Sequence, residues 1–248
     1  MNKLYKGDCL EVMKLIPSGS IDAIITDPPY GTTACKWDSV IDFELMWEQL
    51  NRIIKPNGAI VLFGSEPFSS ALRMSNIKNY KYDWKWEKEK GTGFATSGKR
   101  PLMKIEDIIL FYKKQPTYHP FKKLLDIPYK HTLPIVKSKS GGKDNLSNLN
   151  LDGSRKYKYY THKTPTQLLK FSRDKGNKGL HPTQKPIALM EYLIKTYTNE
   201  NETVLDFTMG SGSTGVAAKN LNRNFIGIEQ DDKYFDIATE RINKEEPQ

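Results

Sequence analysis

The chain has 248 residues, 38% of them apolar and 27% charged, and a net charge of +9. That is enough for one large α/β domain, or a domain with a small appended module, and it excludes global disorder. Two cysteines, Cys9 and Cys35, exclude a disulfide framework or a cysteine-rich metal site, and no apolar run approaches the roughly 18 residues of a membrane helix.

The start, Met1-Asn2-Lys3-Leu4-Tyr5, holds no apolar stretch of signal-peptide length, so a cytoplasmic protein with no membrane partner is expected. Glu11 to Ile16 reads as a short helix closed by Pro17-Ser18-Gly19-Ser20. Ile21 to Thr26 is an apolar run ended by Asp27-Pro28-Pro29, which suits a buried strand of a parallel sheet. Phe43 to Ile54 carries helical spacing, stopped by Pro56-Asn57-Gly58, and Ala59 to Phe63 is a second buried strand. Pro67 to Ile77 predicts a helix with proline in its first turn. Tyr80 to Lys85 and Ile105 to Tyr112 predict strands, with a loop from Gly91 to Pro101 between them.

After about Lys113 the alternation breaks. Prolines, Ser138 to Gly142 and a polar Asn/Leu stretch fill a segment too long for a plain loop. Ile187 to Thr196 then predicts a helix, Thr203 to Phe207 a strand, Val216 to Leu221 the start of a helix and Phe225 to Glu229 a strand. Asp232 to Ile242 closes the chain as a helix, with Asp231 as its N-cap. Alternating strands and helices predict an α/β sheet covered on both faces.

Strand, Gly210-x-Gly212-x-x-Gly215, helix, strand, Glu229 is a nucleotide-cofactor arrangement. The glycines let backbone approach a ligand, and the acid at the next strand end can accept from two ribose hydroxyls. Only 19 residues follow Glu229, so the rest of such a sheet must lie upstream, and the fold is expected to be circularly permuted. No Gly-Lys-[Ser/Thr] follows the glycines, which excludes a P-loop.

Asp27-Pro28-Pro29-Tyr30 lies where a buried strand gives out, the ligand edge of an open α/β sheet. The prolines fix the turn and remove two donors, leaving the Pro28 carbonyl as an acceptor. These groups suit methylation of an aromatic amine, whose lone pair is delocalised into the ring. Hydrogen bonds from its two N–H groups to the Asp27 carboxylate and the Pro28 carbonyl favour a tetrahedral nitrogen that attacks in line. Tyr30 offers a flat face for an extruded base, worth about 1–3 kcal/mol against a flipping cost of a few kcal/mol.

These residues resemble the DNA amino-methyltransferases that modify adenine N6 or cytosine N4, in the permuted group called β. The resemblance implies a Rossmann-like S-adenosylmethionine-dependent methyltransferase fold with an inserted target-recognition region. On that pattern 1–113 is the catalytic half, 114–178 the insert and 179–248 the cofactor-binding half. Gly7-Asp8-Cys9-Leu10 is similar to the family segment whose acid reaches the cofactor adenine. Asp206-Phe207-Thr208-Met209-Gly210-Ser211-Gly212-Ser213-Thr214 resembles its cofactor loop, usually Asp-Pro-Phe-x-Gly-Ser-Gly. His181-Pro182-Thr183-Gln184-Lys185-Pro186 matches the segment that lines the methionine side of the pocket. The implied catalytic residues are Asp27, Pro28 and Tyr30. The implied cofactor residues are Asp8, Asp27, His181, Thr183 and Lys185, then Asp206, Phe207, Gly210, Gly212, Ser213, Thr214 and Glu229. Glu106 fits the family's strand before the insert and is assigned no catalytic role.

Residues 114–178 contain 15 Lys and Arg against 4 Asp and Glu, so a surplus of +11 sits there and the rest of the chain is near −2. Arg155, Lys156 and Lys158, with Tyr157 beside them, are the expected contacts to double-stranded DNA. A homodimer and a cognate restriction endonuclease are further candidate partners.

Adenine is expected because Asp at the first position of the tetrapeptide is commoner for adenine in this family and Ser for cytosine; N4-cytosine methylation stays open. Carbon-5 methylation needs a thiolate, usually in Pro-Cys, which is missing here. Glutamine-amide methylation more often uses Asn-Pro-Pro-Tyr. A nicotinamide oxidoreductase rests only on the glycine loop, and a non-catalytic DNA-binding module leaves Asp27 and that loop without a purpose.

Overall fold

The computed structural model describes residues 2–32, 38–133, 150, 154–172, 174 and 183–244, apart from the side chains of 96 and 125. It divides into a larger unit, 1–119 with 167–248, and a smaller one, 120–166.

The larger unit opens with β1 (Asn2–Lys6), α1 (Cys9–Met13) and β2 (Ile21–Thr26). α2 (Phe43–Ile53), β3 (Ile54–Gly64) and α3 (Phe68–Ser75) follow, then β4 (Tyr80–Thr92) and β5 (Met103–Phe111). The smaller unit holds β6 (Lys123–Thr132) and β7 (Tyr157–Lys163). The chain returns with β8 (Leu168–Lys170), α4 (Ile187–Tyr197), β9 (Thr203–Asp206), α5 (Ser213–Asn220), β10 (Asn224–Glu229) and α6 (Asp232–Asn243).

The large sheet has the order β1-β10-β9-β2-β3-β5-β4-β8. The first five strands are parallel neighbours, β5 runs antiparallel to both β3 and β4, and β8 is parallel to β4. β9 sits directly beside β2, although some 180 residues separate Asp27 from the glycine loop. The order of chemistry along the chain is thus closed up in space at the centre of the sheet.

Period-two alternation divides the core. Ala23, Ile25, Val61, Phe63 and Leu110 face α4, α5 and α6, where they meet Leu193, Ala217 and Ile242. Ile24, Ile60, Leu62, Ile109 and Leu205 face α1, α2 and α3, where they meet Met13, Leu50 and Leu72. Both faces are apolar because both are covered, so these strands read as continuous apolar runs. Leu50 and Leu193 have no exposed surface, and truncating either to Ala costs about 2–5 kcal/mol.

Several boundaries differ from the sequence expectation. β3 begins at Ile54 and runs through Pro56-Asn57-Gly58, with pairing that jumps from Ile21↔Ile54 to Ala23↔Ala59. The irregularity absorbs the proline, and a Cβ on Gly58 would lie 2.8 Å from the Asp22 carbonyl oxygen, so only glycine fits that bend. β4 extends past Lys85 to Thr92, into the expected loop. α5 starts at Ser213 rather than Val216, because Gly212 at φ 80° is its N-cap. Among the described residues no helix is long and apolar enough to cross a membrane.

Within the smaller unit, β6 and β7 form an antiparallel pair with Tyr129 opposite Tyr160 and His131 opposite Lys158. Leu124, Ile127, Tyr129 and Tyr159 are all exposed on it.

Candidate active site

The carboxyl ends of β1, β10, β9, β2 and β3 open into one cavity of about 620 Å³. Ligands of open α/β sheets bind at this edge. Its lining includes Asp8, Asp27, Pro28, Tyr30, Thr183, Lys185, Asp206, Phe207, Gly210, Ser213, Thr214 and Glu229, all expected site residues. Gly212 adjoins these as the N-cap of α5. His181 lies outside the described residues.

On the glycine-loop side, each oxygen of Glu229 accepts a backbone N–H, from Gly210 at 2.8 Å and from Asp231 at 2.9 Å. A carboxylate offers about four lone-pair sites, so acceptor capacity remains for hydroxyls. Burial pushes the Glu229 acid upward, against the pull of the backbone donors. Asp8 caps α1, accepting from Leu10 N at 2.9 Å and Glu11 N at 3.2 Å. Ser213 Oγ is buried without a hydrogen-bond partner and belongs to a cavity-lining residue.

Asp206 ties the centre together. It accepts from the hydroxyls of Thr26 and Thr214, the latter at 2.6 Å, and from Thr208 N at 3.2 Å. Burial pushes its acid up to about 6, opposed by those donors. Thr208 in turn donates its hydroxyl hydrogen to the Asp27 carbonyl at 3.1 Å. The carboxylate of Asp206 and the hydroxyl of Thr214 are therefore both engaged in fixing the ends of β2 and β9 to the start of α5.

On the other side, Asp27 stands between Tyr30 and Lys185. Its Oδ1 accepts from the Tyr30 hydroxyl at 2.5 Å, and its Oδ2 accepts from Lys185 Nζ. Glu106, at the mouth of β5, takes the same two donors, from Tyr30 at 3.1 Å and Lys185 at 2.8 Å. Lys88 approaches Glu106 from β4 at 3.5 Å. The Tyr30 ring stacks on Phe68 at 5.1 Å and 27°.

Of these residues, the sequence gives Asp38 no role and Glu106 only a place in the strand before the insert. Asp38 gathers the chain after the prolines, accepting from the backbone N–H of Tyr30, Gly31 and Thr32 at 2.8–2.9 Å. No local motif marks it. Glu106 carries a faint signal, since Glu106-Asp107 are acids at the head of the apolar run Ile108 to Phe111. Lys185, an expected cofactor-pocket residue, lines the cavity and forms ion pairs with Asp27 and Glu106.

The proposed phosphate contacts lie in the smaller unit. Arg155, Lys156, Tyr157 and Lys158 are exposed there. Lys130 Nζ lies 3.7 Å from the Tyr157 ring centre, and Lys158 Nζ lies 5.2 Å from that of Tyr160. Cys9 also lines the cavity, but burial and the Asp8 charge push its thiol up to about 12. It is neutral near pH 7, and no thiolate nucleophile is available from it.

A mostly parallel sheet with a glycine loop after β9, an acid at the end of its neighbour β10 and an Asp-Pro-Pro-Tyr turn after its other neighbour β2 defines a Rossmann-like enzyme that joins a nucleotide cofactor to an amine substrate. The DNA methylase family model matches residues 21–240, and the chain belongs to that family of N6-adenine and N4-cytosine DNA amino-methyltransferases. It is 29% identical to the type II methyltransferase M.HpaI of Haemophilus parainfluenzae, over 98% of this chain and 74% of that one. The M1.HpyAVI–SAM complex has a TM-score of 0.65 at 29% identity, covering 98% of this chain and all of the other. PvuII DNA methyltransferase, cytosine-N4-specific, has a TM-score of 0.69 at 17% identity, covering 100% and 88%, and shares the fold.

Proposed function

We infer that the chain is a site-specific DNA methyltransferase that uses S-adenosylmethionine to methylate the N6 amino group of a flipped-out adenine. The observation that carries this reading is the placement of Asp27 and Pro28 in the same cavity as the glycine loop and Glu229. At about 620 Å³ that cavity is of the size that holds a cofactor-sized ligand.

The residues fit that cofactor. Glu229 retains acceptor sites for a ribose, Gly210 brings backbone to the cavity wall, and Ser213 Oγ is a buried polar atom without a partner. S-adenosylmethionine supplies an electrophilic methyl group when bound. Asp27 and the Pro28 carbonyl hold the amine hydrogens, so the nitrogen lone pair points along the line of displacement. Tyr30 stacks its ring on Phe68 and lines the cavity, where it would meet an extruded base. Aspartate rather than serine at position 27 supports adenine as the target.

The smaller unit carries a surplus of +7 over 120–166, from 10 Lys and Arg against 3 Asp. Phosphate contacts from that surplus supply DNA affinity, and its exposed tyrosines suit contact with bases. We place the recognition function there, with Arg155, Lys156, Tyr157 and Lys158 as leading contacts. A paired restriction endonuclease is the natural setting for such an enzyme.

The Asp27→Ala variant tests the reading. Labelled methyl transfer to mixed-sequence DNA should fall below detection while S-adenosylmethionine still binds, because among the described residues the Asp27 side chain holds Tyr30 and Lys185. Retained transfer would remove Asp27 from the reaction.

A further inference from the structure

We propose that Glu106 is a positioning residue for methyl transfer, drawing the Tyr30 hydroxyl and the Lys185 ammonium toward itself so that Asp27 is free to accept the target amino group. This rests on the amine-methylation reading above and adds a residue to which that reading gives no role.

Both oxygens of Asp27 are occupied in the free protein, Oδ1 by Tyr30 and Oδ2 by Lys185. An incoming amine must share or displace one of these donors. The Tyr30 hydroxyl has a single proton and two carboxylates within reach, Asp27 at 2.5 Å and Glu106 at 3.1 Å. Rotation of one O–H bond moves that proton from Asp27 to Glu106 without moving a heavy atom. Lys185 is divided in the same way, with Glu106 at 2.8 Å. Glu106 is therefore a second acceptor for each donor that Asp27 must give up.

The groups facing this pair set its charge. Asp27 sees Lys185, Glu106 and Tyr30, with the Asp206 carboxylate behind it at the end of β9. Glu106 sees Lys185, Lys88 and Tyr30. Burial pushes the Asp27 acid up, and the Glu106 charge adds to this against the opposing pull of Lys185. For Glu106 burial is outweighed by Lys185, Lys88 and Tyr30, which hold its acid down. Glu106 stays the fixed anion of the pair, available to Tyr30 and Lys185, and its charge makes Asp27 harder to ionise. Because Glu106 works through Tyr30 and Lys185, its removal should alter the state of Asp27 rather than cofactor binding.

The test uses the full-length enzyme with Glu106→Gln, Tyr30→Phe and the double variant. Glu106→Gln should lower kcat by roughly 10- to 100-fold with KM for S-adenosylmethionine unchanged. It should also move the acid limb of the pH–rate profile to lower pH, since loss of the neighbouring charge makes Asp27 easier to ionise. Adding Tyr30→Phe removes the donor that Glu106 no longer diverts, so the double variant should be faster than Glu106→Gln alone. A merely structural role for Glu106 predicts no shift of the limb and an added loss in the double variant, and either result overturns the proposal. Titration of Asp27 in the free protein, followed by carbon-13 resonances of labelled carboxyls, reads the same coupling without turnover. A lower Asp27 midpoint in Glu106→Gln supports it and an unchanged midpoint refutes it, even if the wild type methylates nothing and the amine reading falls. Should Glu106→Gln not fold, Glu106→Asp is the second variant, since it keeps the charge but withdraws the carboxylate from Tyr30 and Lys185. A lower kcat with the Asp27 midpoint near that of the wild type is expected there, and an unchanged kcat counts against the proposal.

Discussion

The carboxylate of Asp38 accepts the backbone N–H of Tyr30 at 2.8 Å, and the same side chain takes the next two N–H groups. Pro28 and Pro29 donate nothing, so this single carboxylate satisfies the first three donors after the prolines. Gly31 at φ 67° is the residue that lets the chain curl around it. Asp38→Ala leaves those donors without their partner. We expect a loss of about 1–3 kcal/mol in stability, read by urea denaturation, and a kcat reduced by up to about 100-fold through misplacement of Tyr30. Asp38→Asn keeps one acceptor oxygen and should lose less of both. Equal losses in the two variants would remove the turn-holding role.

Asp206 makes stability depend on pH in a definite direction. Its folded-state acid is raised to about 6 from the ordinary 3.8, so the folded state favours the protonated form. That contribution is fully present below about pH 4 and is lost as pH rises through 6. Asp206→Asn imitates the neutral form at every pH. Between pH 4 and 8 the wild type should lose about 3 kcal/mol relative to this variant, from a shift of about two units at 1.36 kcal/mol each. Denaturant midpoints across that range provide the check, and a constant difference would mean that folding does not raise the Asp206 acid.

Gly212 combines φ 80° with a neighbouring helix, since a Cβ there would meet the Ala238 Cβ at 3.0 Å. A side chain adds about 1–3 kcal/mol of backbone strain and pushes the start of α5 away from α6. Gly212→Val should therefore weaken S-adenosylmethionine binding by at least about tenfold. Calorimetric titration of the folded variant tests this. Wild-type affinity would separate the loop from the cofactor.

Binding to DNA should weaken steeply with salt, because the surplus of +7 is carried by one 47-residue unit. Replacing Arg155, Lys156 and Lys158 with Gln should reduce the slope of log affinity against log salt by about 3. Affinity for S-adenosylmethionine should stay the same. An unaltered slope would place the DNA elsewhere on the surface.

Much of the fold was legible because its strands and helices are locally consistent. Ile21 to Thr26 is mostly apolar and Ala59 to Phe63 wholly so, as they are covered on both faces, and Asp231 does accept the Tyr234 N–H at the start of α6. β1 was not legible. It is a short, largely exposed strand at the sheet edge, so it carries neither alternation nor an apolar run. The start of α5 was misplaced by three residues because its cap is a glycine conformation, not a side-chain signature. At the site, motifs announce Asp27, Glu229 and the glycines, whose roles are local. Asp38 acts within its own turn but in no recognised motif, whereas Glu106 and the ion pairs of Lys185 depend on which strands become neighbours, and no spacing in the chain encodes that.

The most direct measurement incubates the enzyme with methyl-labelled S-adenosylmethionine and DNA lacking methylation, then separates the nucleosides by mass spectrometry. Label in N6-methyldeoxyadenosine, absent with Asp27→Ala, is the predicted result. Label in N4-methyldeoxycytidine would contradict the choice of base, and no label in any nucleoside would contradict the assignment of Asp27-Pro28-Pro29-Tyr30 to DNA amine methylation.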